Sequence, residues 1–207
     1  ELDESGQRCN YTTALAQDIL VNAEAMVRAW SPDGDDYLGD LLASGEPGAP
    51  FMSIRDAANE IVNRMLFLTE NIMRGKLGQP LGLESGGEPR PELVESRYSD
   101  NSIEDILSNL EGLENLYLGQ FEEREGIGVQ LWVRWHSPEV DREMLRTLTE
   151  TRWAVEEVPE PLRGSVVNSP DLVQAAYDQM RELRNTIGVD VINALAGSVT
   201  FNDTDGD

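Results

Sequence analysis

A polar segment at residues 95–101 carries the side chains best suited to binding a ligand. Arg97 can hold a carboxylate through the paired N–H donors of its guanidinium group. The residues around it offer carboxylate, hydroxyl and amide groups for further polar contacts. The candidate ligand-binding residues are therefore Glu95, Ser96, Arg97, Ser99 and Asn101.

A long loop leads into this segment. From Gly78 to Asn101 the chain shows little periodicity and contains three prolines and several glycines. Connections within compact domains usually have about 4 to 6 residues, and a much longer one is either functional or disordered. We therefore predict that residues 78–101 form a functional loop rather than a simple spacer.

The structural alternative is that these polar groups only cap helices and tie down the loop. Ser102 has Asp105 three residues later, the arrangement of an N-cap and its reciprocal partner. Capping is the preferred explanation for Ser102, whereas both roles stay open for Arg97 and Ser99. The helix that follows has one apolar face, formed by Ile103, Ile106, Leu110, Leu113 and Tyr117.

A second candidate site is the pair His136 and Glu139, whose three-residue spacing suits a metal ion on one face of a helix. However, Ser137 is a natural N-cap and Pro138 a natural first helical residue, which places His136 outside the helix. We therefore favour a helix-start signal over a metal site. The sequence contains one histidine and one cysteine, Cys9, and no Cys/His cluster or nucleophilic triad can be recognised.

Two acidic segments suggest calcium, but neither has the required spacing. A calcium-binding loop of the EF-hand type needs alternating oxygen ligands, glycine at the sixth place and glutamate at the twelfth. Counted from Asp203, glycine falls at the fourth place and the chain then stops, so Phe201 to Asp207 is predicted to be an acidic C-terminal turn. The segment Asp33 to Asp36 fails the same test.

The charge of the chain excludes some classes of partner. It has 39 acidic residues against 16 lysines and arginines, a formal net charge of −23. Such a surface repels nucleic acids and anionic membranes and attracts cations, including metal ions, although the excess charge can also serve only solubility. No apolar run approaches the roughly 18 residues of a membrane span. Glu1 to Glu4 is not a signal peptide, so for an exported protein the targeting segment lies outside this chain.

Apolar residues at helical spacing predict an all-α fold. In the first helix Leu15, Ile19, Ala23, Met26 and Trp30 share a face, and in the third a stripe including Met65 is predicted to pack in the core, as is Met73. The predicted helices are Gln7 to Trp30, Asp36 to Leu42, Ser53 to Ile72, Ser102 to Tyr117, Pro138 to Glu157 and Ser169 to Ile187.

The segments between these helices are interpreted less directly. Arg74 to Gly82 is expected to break the third helix with glycine and proline. Glu122 to Gly126 is interpreted as a charged link, and Ile127 to Trp135 as a short buried helix rather than a strand. Arg163 to Asn168 is interpreted as a linker or short turn, and Gly188 as a break or kink.

The order of several short signatures resembles the second half of the imelysin family. Each signature is weak alone, but their order covers nearly the whole chain. They are the first helix ending at Trp30, residues 76–82 (KLGQPLG), residues 95–99 (ESRYS), residues 109–112 (NLEG), residues 137–139 (SPE), and the tail with Phe201-Asn202 and Asp205-Gly206-Asp207.

The resemblance implies an all-α fold of two related up-and-down helical bundles, in a bacterial protein of the periplasm or outer membrane that is associated with iron uptake. The family's hallmark is a GxHxxE motif in its first half, proposed to bind metal or to act in a peptidase. This chain lacks the motif, and Arg134 stands two places before His136 where the motif has glycine. We therefore predict that residues 1–207 are the C-terminal half of a longer protein.

The function implied by the resemblance is binding of a metal or an iron-related ligand in a cleft shared with the N-terminal half. The loop would face that half, with residues 95–101 lining the cleft. Iron or another divalent metal is the expected cofactor class, with most of its ligands outside this chain. Two alternatives remain, a metallopeptidase whose GxHxxE motif lies in the other half and a helical protein-interaction module.

Overall fold

The structure, a computed structural model, describes residues 2–195, with side chains from residue 6 onward. The predicted tail at Phe201 to Asp207 lies outside the described residues. The chain divides into two compact units, Glu1–Ala57 and Ala58–Asp207. Helices dominate both units, which confirms the predicted all-α class. No helix among the described residues is long and apolar enough to cross a membrane.

The first unit contains two helices, α1 at Leu2–Trp30 and α2 at Tyr37–Leu42. Asp36 precedes α2 with φ of 52°, and its carboxylate accepts a hydrogen bond from the Gly39 N–H at 3.1 Å. The ring of Trp30 meets that of Tyr37 edge-on, with centroids 4.9 Å apart. No residue between positions 6 and 56 is fully buried, including the apolar face of α1.

Helix α3 spans Ile54–Asn71 and begins as its sequence predicts. The Ser53 hydroxyl accepts from the Asp56 N–H at 3.2 Å and donates to the Asp56 carboxylate at 2.9 Å. The first bond satisfies a backbone N–H that a helix start leaves without a partner, and the second joins the two side chains. Met65 is buried in the core of the second unit, as expected.

The predicted break after α3 is wrong. The helix continues as a π-helical turn at Ile72–Gly78 and then as α4 at Gln79–Leu81. Pro80 is the second residue of α4, directly after the π turn. Gly82, with φ of 76°, ends the helix. The non-helical loop is therefore shorter than residues 78–101 and includes a 3₁₀ turn at Pro91–Leu93.

The core of the second unit is formed mainly by three long helices together with α3. They are α5 at Ser102–Leu118, α7 at Pro138–Glu156 and α9 at Pro170–Asn185. Each buries the face that its apolar spacing predicts, including Leu110 of α5, Leu148 of α7 and Met180 of α9. The predicted bounds of α7 and the start of α9 are confirmed within one or two residues.

Two glycines in π-helical turns lie at close contacts, Gly78 against α9 and Gly188 against α3. A Cβ atom at Gly78 would lie 3.1 Å from the Tyr177 ring, and one at Gly188 would lie 3.0 Å from Leu66. Gly188 belongs to a second π-helical turn, Thr186–Val191, which is followed by α10 at Ile192–Ala194. The kink predicted at Gly188 is thus a local change of helical hydrogen bonding rather than a break.

The segment after α5 differs from its prediction. The charged link is a hairpin of β1 at Gln120–Phe121 and β2 at Arg124–Glu125. Helix α6 follows at Val129–His136, so the predicted helix exists, but within it Val133 alone is buried. Trp135 is 83% exposed because it lies on the solvent side of this short helix. The predicted linker after α7 is a further helix, α8 at Leu162–Asn168.

Candidate functional site

The candidate segment 95–101 lies between the 3₁₀ turn and α5, and Lys76 of the first π turn anchors its beginning. The Lys76 Nζ lies 2.8 Å from Oε2 of Glu95. The Lys76 side chain is only 15% exposed, whereas that of Glu95 is 58% exposed. The mostly buried Lys76 side chain therefore fixes the position of Glu95 through an ion pair.

Ser96 and Asn101 form a hydrogen-bond network with the start of α5. Ser102 is the first residue of α5 and not its N-cap, and its buried hydroxyl accepts from the Ser96 N–H at 3.1 Å. The Asp105 carboxylate accepts from the Ser96 hydroxyl and from the Asn101 amide, the latter at 2.7 Å. The Ser96 hydrogen bond, followed by that of Asn101 and by the charge of Lys76, lowers the pKa of Asp105. These two candidate residues therefore serve to fold the loop.

The end of the segment is tied to α8. Asp100 adopts a left-handed conformation with φ of 59°. Its two carboxylate oxygens accept from Nε and Nη2 of Arg163 at 2.6 and 2.9 Å. These hydrogen bonds raise the pKa of the Arg163 guanidinium. The Ser99 hydroxyl donates to the Ser96 carbonyl at 3.4 Å, a weak bond that leaves Ser99 exposed.

Arg97 and Tyr98 contact each other, and Arg97 also contacts the 3₁₀ turn. The Arg97 Nη1 donates to the Glu92 carbonyl at 2.9 Å, and Nη2 donates to the Tyr98 hydroxyl at 2.7 Å. The guanidinium carbon lies 4.7 Å from the centre of the Tyr98 ring. Tyr98 is 88% exposed. The pair therefore presents an oriented cation and an aromatic ring to the surroundings.

A separate cavity of about 580 Å³ opens beside the β-hairpin. Its apolar wall includes Ile61, Leu116, Phe121, Ile127 and Val129. None of the residues 95–101 lines it. This cavity and the polar segment are therefore two distinct features of the second unit.

A buried polar contact links α5, α6 and α7. The Tyr117 hydroxyl donates to Oδ1 of Asp141 at 2.9 Å, and the Gln130 amide lies 3.5 Å from Oδ2. Burial, followed by the hydrogen bond to Asp141, raises the pKa of the Tyr117 hydroxyl. Both groups are at most 4% exposed, so they secure the helices and are closed to an external ligand.

Comparison with known families decides what the chain is. The model of the imelysin family matches residues 2–187, nearly the whole sequence. The chain belongs to the imelysin family. This agrees with the resemblance of its ordered signatures.

Two other similarities support this imelysin assignment. "Iron-regulated protein A" of Synechococcus elongatus is 25% identical over 157 residues, which cover 74% of this chain and 43% of that protein. The crystal structure of an imelysin peptidase from Bacteroides ovatus superposes with a TM-score of 0.74 at 22% identity. That match covers 85% of this chain and 51% of the other.

A third relative is a provisionally named iron-regulated protein A precursor from Parabacteroides distasonis. It has a TM-score of 0.61 and 20% identity, over 73% of this chain and 44% of its own. At these identities the two solved structures establish a shared fold. The chain spans about half the length of the relatives that it matches.

The imelysin hallmark is not found at the single histidine of this chain. His136 is the last residue of α6, is exposed, and has Nδ1 2.9 Å from the Trp132 carbonyl oxygen. It stands outside α7, as Ser137 and Pro138 predict. Within residues 2–195 the structure contains no group of three or more His, Cys, Asp or Glu side chains placed to hold a metal ion.

Sequence reasoning missed three neighbours of the candidate residues. Tyr98 directly follows Arg97 and could have been chosen for its aromatic ring beside a cation. Lys76 stands 19 positions before Glu95, and folding brings the two together. Asp105 was predicted only as a capping partner, although it accepts hydrogen bonds from two of the candidate residues.

Proposed function

We propose that this chain is part of an exported, iron-related imelysin protein in which residues 95–101 form one wall of a ligand-binding cleft. The remaining wall belongs to a part of the protein outside residues 1–207, its N-terminal half. Iron regulation and a precursor form appear in the names of two relatives, which supports a role in the periplasm or at the outer membrane.

The observation that carries this proposal is the set of contacts made by the Arg97 guanidinium group. Within the part of the chain that the structure describes, Arg97 has no carboxylate at ion-pair distance. The Glu92 carboxylate, which pairs with Arg90, lies near enough to interact with the charge of Arg97. Its two neutral hydrogen bonds and the Tyr98 ring fix the direction of its guanidinium group. An oriented cation that no carboxylate contacts directly can bind a carboxylate of a ligand.

The ligand class that fits Arg97 is an anionic one with carboxylate groups, such as a carboxylate chelate of iron. The net charge of −23 opposes the approach of an anion. At physiological ionic strength, however, charges more than about 8 Å apart are largely screened. A hydrogen bond to a charged group contributes about 1.5–3 kcal/mol at contact, so the local contact outweighs the distant repulsion.

Ferric citrate binding to the full-length protein tests this function by isothermal titration calorimetry. Arg97→Ala should weaken binding by about tenfold or more, because about 1.4 kcal/mol corresponds to a factor of ten. Ser99→Ala should have a smaller effect in the same direction. Arg64→Ala is the matched control, since Arg64 is an exposed arginine of α3 paired with Glu60.

Unchanged affinity in both Arg97→Ala and Ser99→Ala would contradict the cleft. Citrate without iron and ferrous ion without citrate are measured in parallel. Affinity for ferrous ion alone that is insensitive to Arg97 would show that the protein takes the bare metal elsewhere. Peptide hydrolysis that a chelator abolishes and added metal restores would replace this binding role with that of a metallopeptidase.

A further inference from the structure

Helix α1 exposes a row of large apolar side chains over most of its length. The exposed fractions are 45% for Leu15, 69% for Ile19, 68% for Met26 and 70% for Val27. Trp30 at its end is 52% exposed. A contiguous exposed apolar surface of this kind usually marks an interaction site.

The apolar residues of α1 lie on one broad side of the helix. At 3.6 residues per turn, they occupy roughly half of its circumference. The members of this apolar face are Tyr11, Leu15, Ala16, Ile19, Leu20, Ala23, Met26, Val27 and Trp30. The opposite side carries Asn10, Gln17, Glu24 and Arg28, together with the small residues Ala14 and Ala25 and one large apolar exception, Val21, which is 55% exposed.

The width of this face indicates what covers it. The seam of a two-stranded coiled coil uses two positions in seven, a much narrower stripe. A face that spans half of the helix suits a position against two neighbouring helices, as in the interior of a bundle. A single helix of a second copy would leave part of the face uncovered.

The charge of α1 also disfavours a second copy. Between residues 6 and 30, Arg8 and Arg28 balance Asp18 and Glu24, so this stretch has no net charge. The whole chain carries −23, and two copies would repel each other. The stretch that carries the apolar face is therefore neutral although the chain is acidic, which suits burial inside a protein rather than contact with solvent.

We propose that the apolar face of α1 packs against a pair of amphipathic helices of the same protein that lie outside residues 1–207. The chain covers only 43–51% of the length of its relatives, which leaves room for such helices. The proposal shares with the proposed function the premise of a longer protein, but it involves neither Arg97 nor any ligand. The two can therefore fail separately.

Thiol labelling of the full-length protein tests this packing. Ile19→Cys and Val21→Cys are made with Cys9→Ser and labelled with a maleimide, and peptide mass spectrometry measures the rate at each site. The thiol at position 19 should react at least tenfold more slowly than the thiol at position 21. Equal rates would overturn the proposal. Both cysteine substitutions place a small, uncharged side chain in α1, so neither introduces a charge into the apolar face.

A second pair of variants measures the consequence of losing the contact. Ile19→Glu should lower the thermal unfolding midpoint of the full-length protein by several degrees more than Val21→Glu, because it places a charge in an apolar interface. Protection at position 19 that disappears on dilution, together with a dimeric mass, would show that a second copy covers the face and would overturn the proposal. An intact mass of 23.0 kDa for the mature protein would also overturn it.

Discussion

Helices α1 and α5 have the same kind of sequence pattern and opposite surroundings. On α5 the apolar residues Ile106, Leu110 and Tyr117 are completely buried, whereas Leu15 and Ile19 of α1 are 45% and 69% exposed. Apolar spacing therefore indicates that a helix has a face suited to packing, but it does not show which other helices cover that face. For α5 that partner lies within the chain, in α6 and α7.

The contrast between the buried face of α5 and the exposed face of α1 is tested most directly by the same substitution on both helices of the 207-residue chain. Leu110→Ala should cost about 2–5 kcal/mol of unfolding free energy, because it leaves a cavity in a packed core. Leu15→Ala should stay within about 0.5 kcal/mol, as is usual for surface substitutions. Urea unfolding measures both. An equal loss for Leu15→Ala would mean that another part of this chain covers α1.

A smaller effect concerns the buried polar contact at the end of α5. Tyr117→Phe removes the hydroxyl that donates to Asp141 and leaves a buried carboxylate with Gln130 alone. The expected loss is about 1–3 kcal/mol, the cost of a buried group without its partner. Tyr98→Phe is the control, because Tyr98 is 88% exposed. If the two variants unfold at the same urea concentration, the hydrogen bond from Tyr117 to Asp141 does not stabilise the folded protein.

The smallest effect concerns acid stability at the start of α5. The Ser96 hydrogen bond holds the pKa of Asp105 below its ordinary value in the folded protein. Its stabilising contribution is therefore fully present above the unfolded pKa of about 3.9 and is lost as pH falls through the lower folded value. Ser96→Ala should raise the pKa of Asp105, which NMR titration of its carboxyl carbon measures directly.

An unchanged Asp105 titration in Ser96→Ala would show that this hydrogen bond does not stabilise the charged carboxylate. Asp105→Asn provides the complementary measurement. Because it removes the titrating group, the unfolding free energy should depend less on pH in the range below about 4. Among the described side chains of α1 there is no equivalent network, so the measurement is specific to the folded start of α5.

The helices and their buried faces could be predicted from sequence because they rest on local periodicity. Ser53 and Asp56 form the predicted cap, and Pro138 starts α7 as expected. Ser102 shows the limit of this reasoning. It has the residue type and spacing of a cap, but its hydroxyl accepts from the Ser96 backbone, so Asn101 takes the capping position instead.

The contacts made by the candidate residues could be predicted only in part. The segment 95–101 does contain an exposed cation, Arg97, as its chemistry suggests. The structure shows that Ser96 and Asn101 bind Asp105, and it adds Lys76 beneath Glu95. These contacts join residues far apart in the chain or depend on the exact turn of a loop, and no periodic pattern records them. Whether the segment binds a ligand stays a prediction.

The sequence by itself determined the all-α class, most helix bounds, the imelysin family and the strong negative charge of this protein. These follow from residue type, spacing and order, which are properties of the chain before it folds. Only the tertiary structure decided that glycines 75 and 78 form part of a π turn instead of a break, and that residues 95–101 divide into anchored and outward-facing groups. Those outcomes depend on neighbours such as Tyr177, Asp105 and Arg163, which folding brings together.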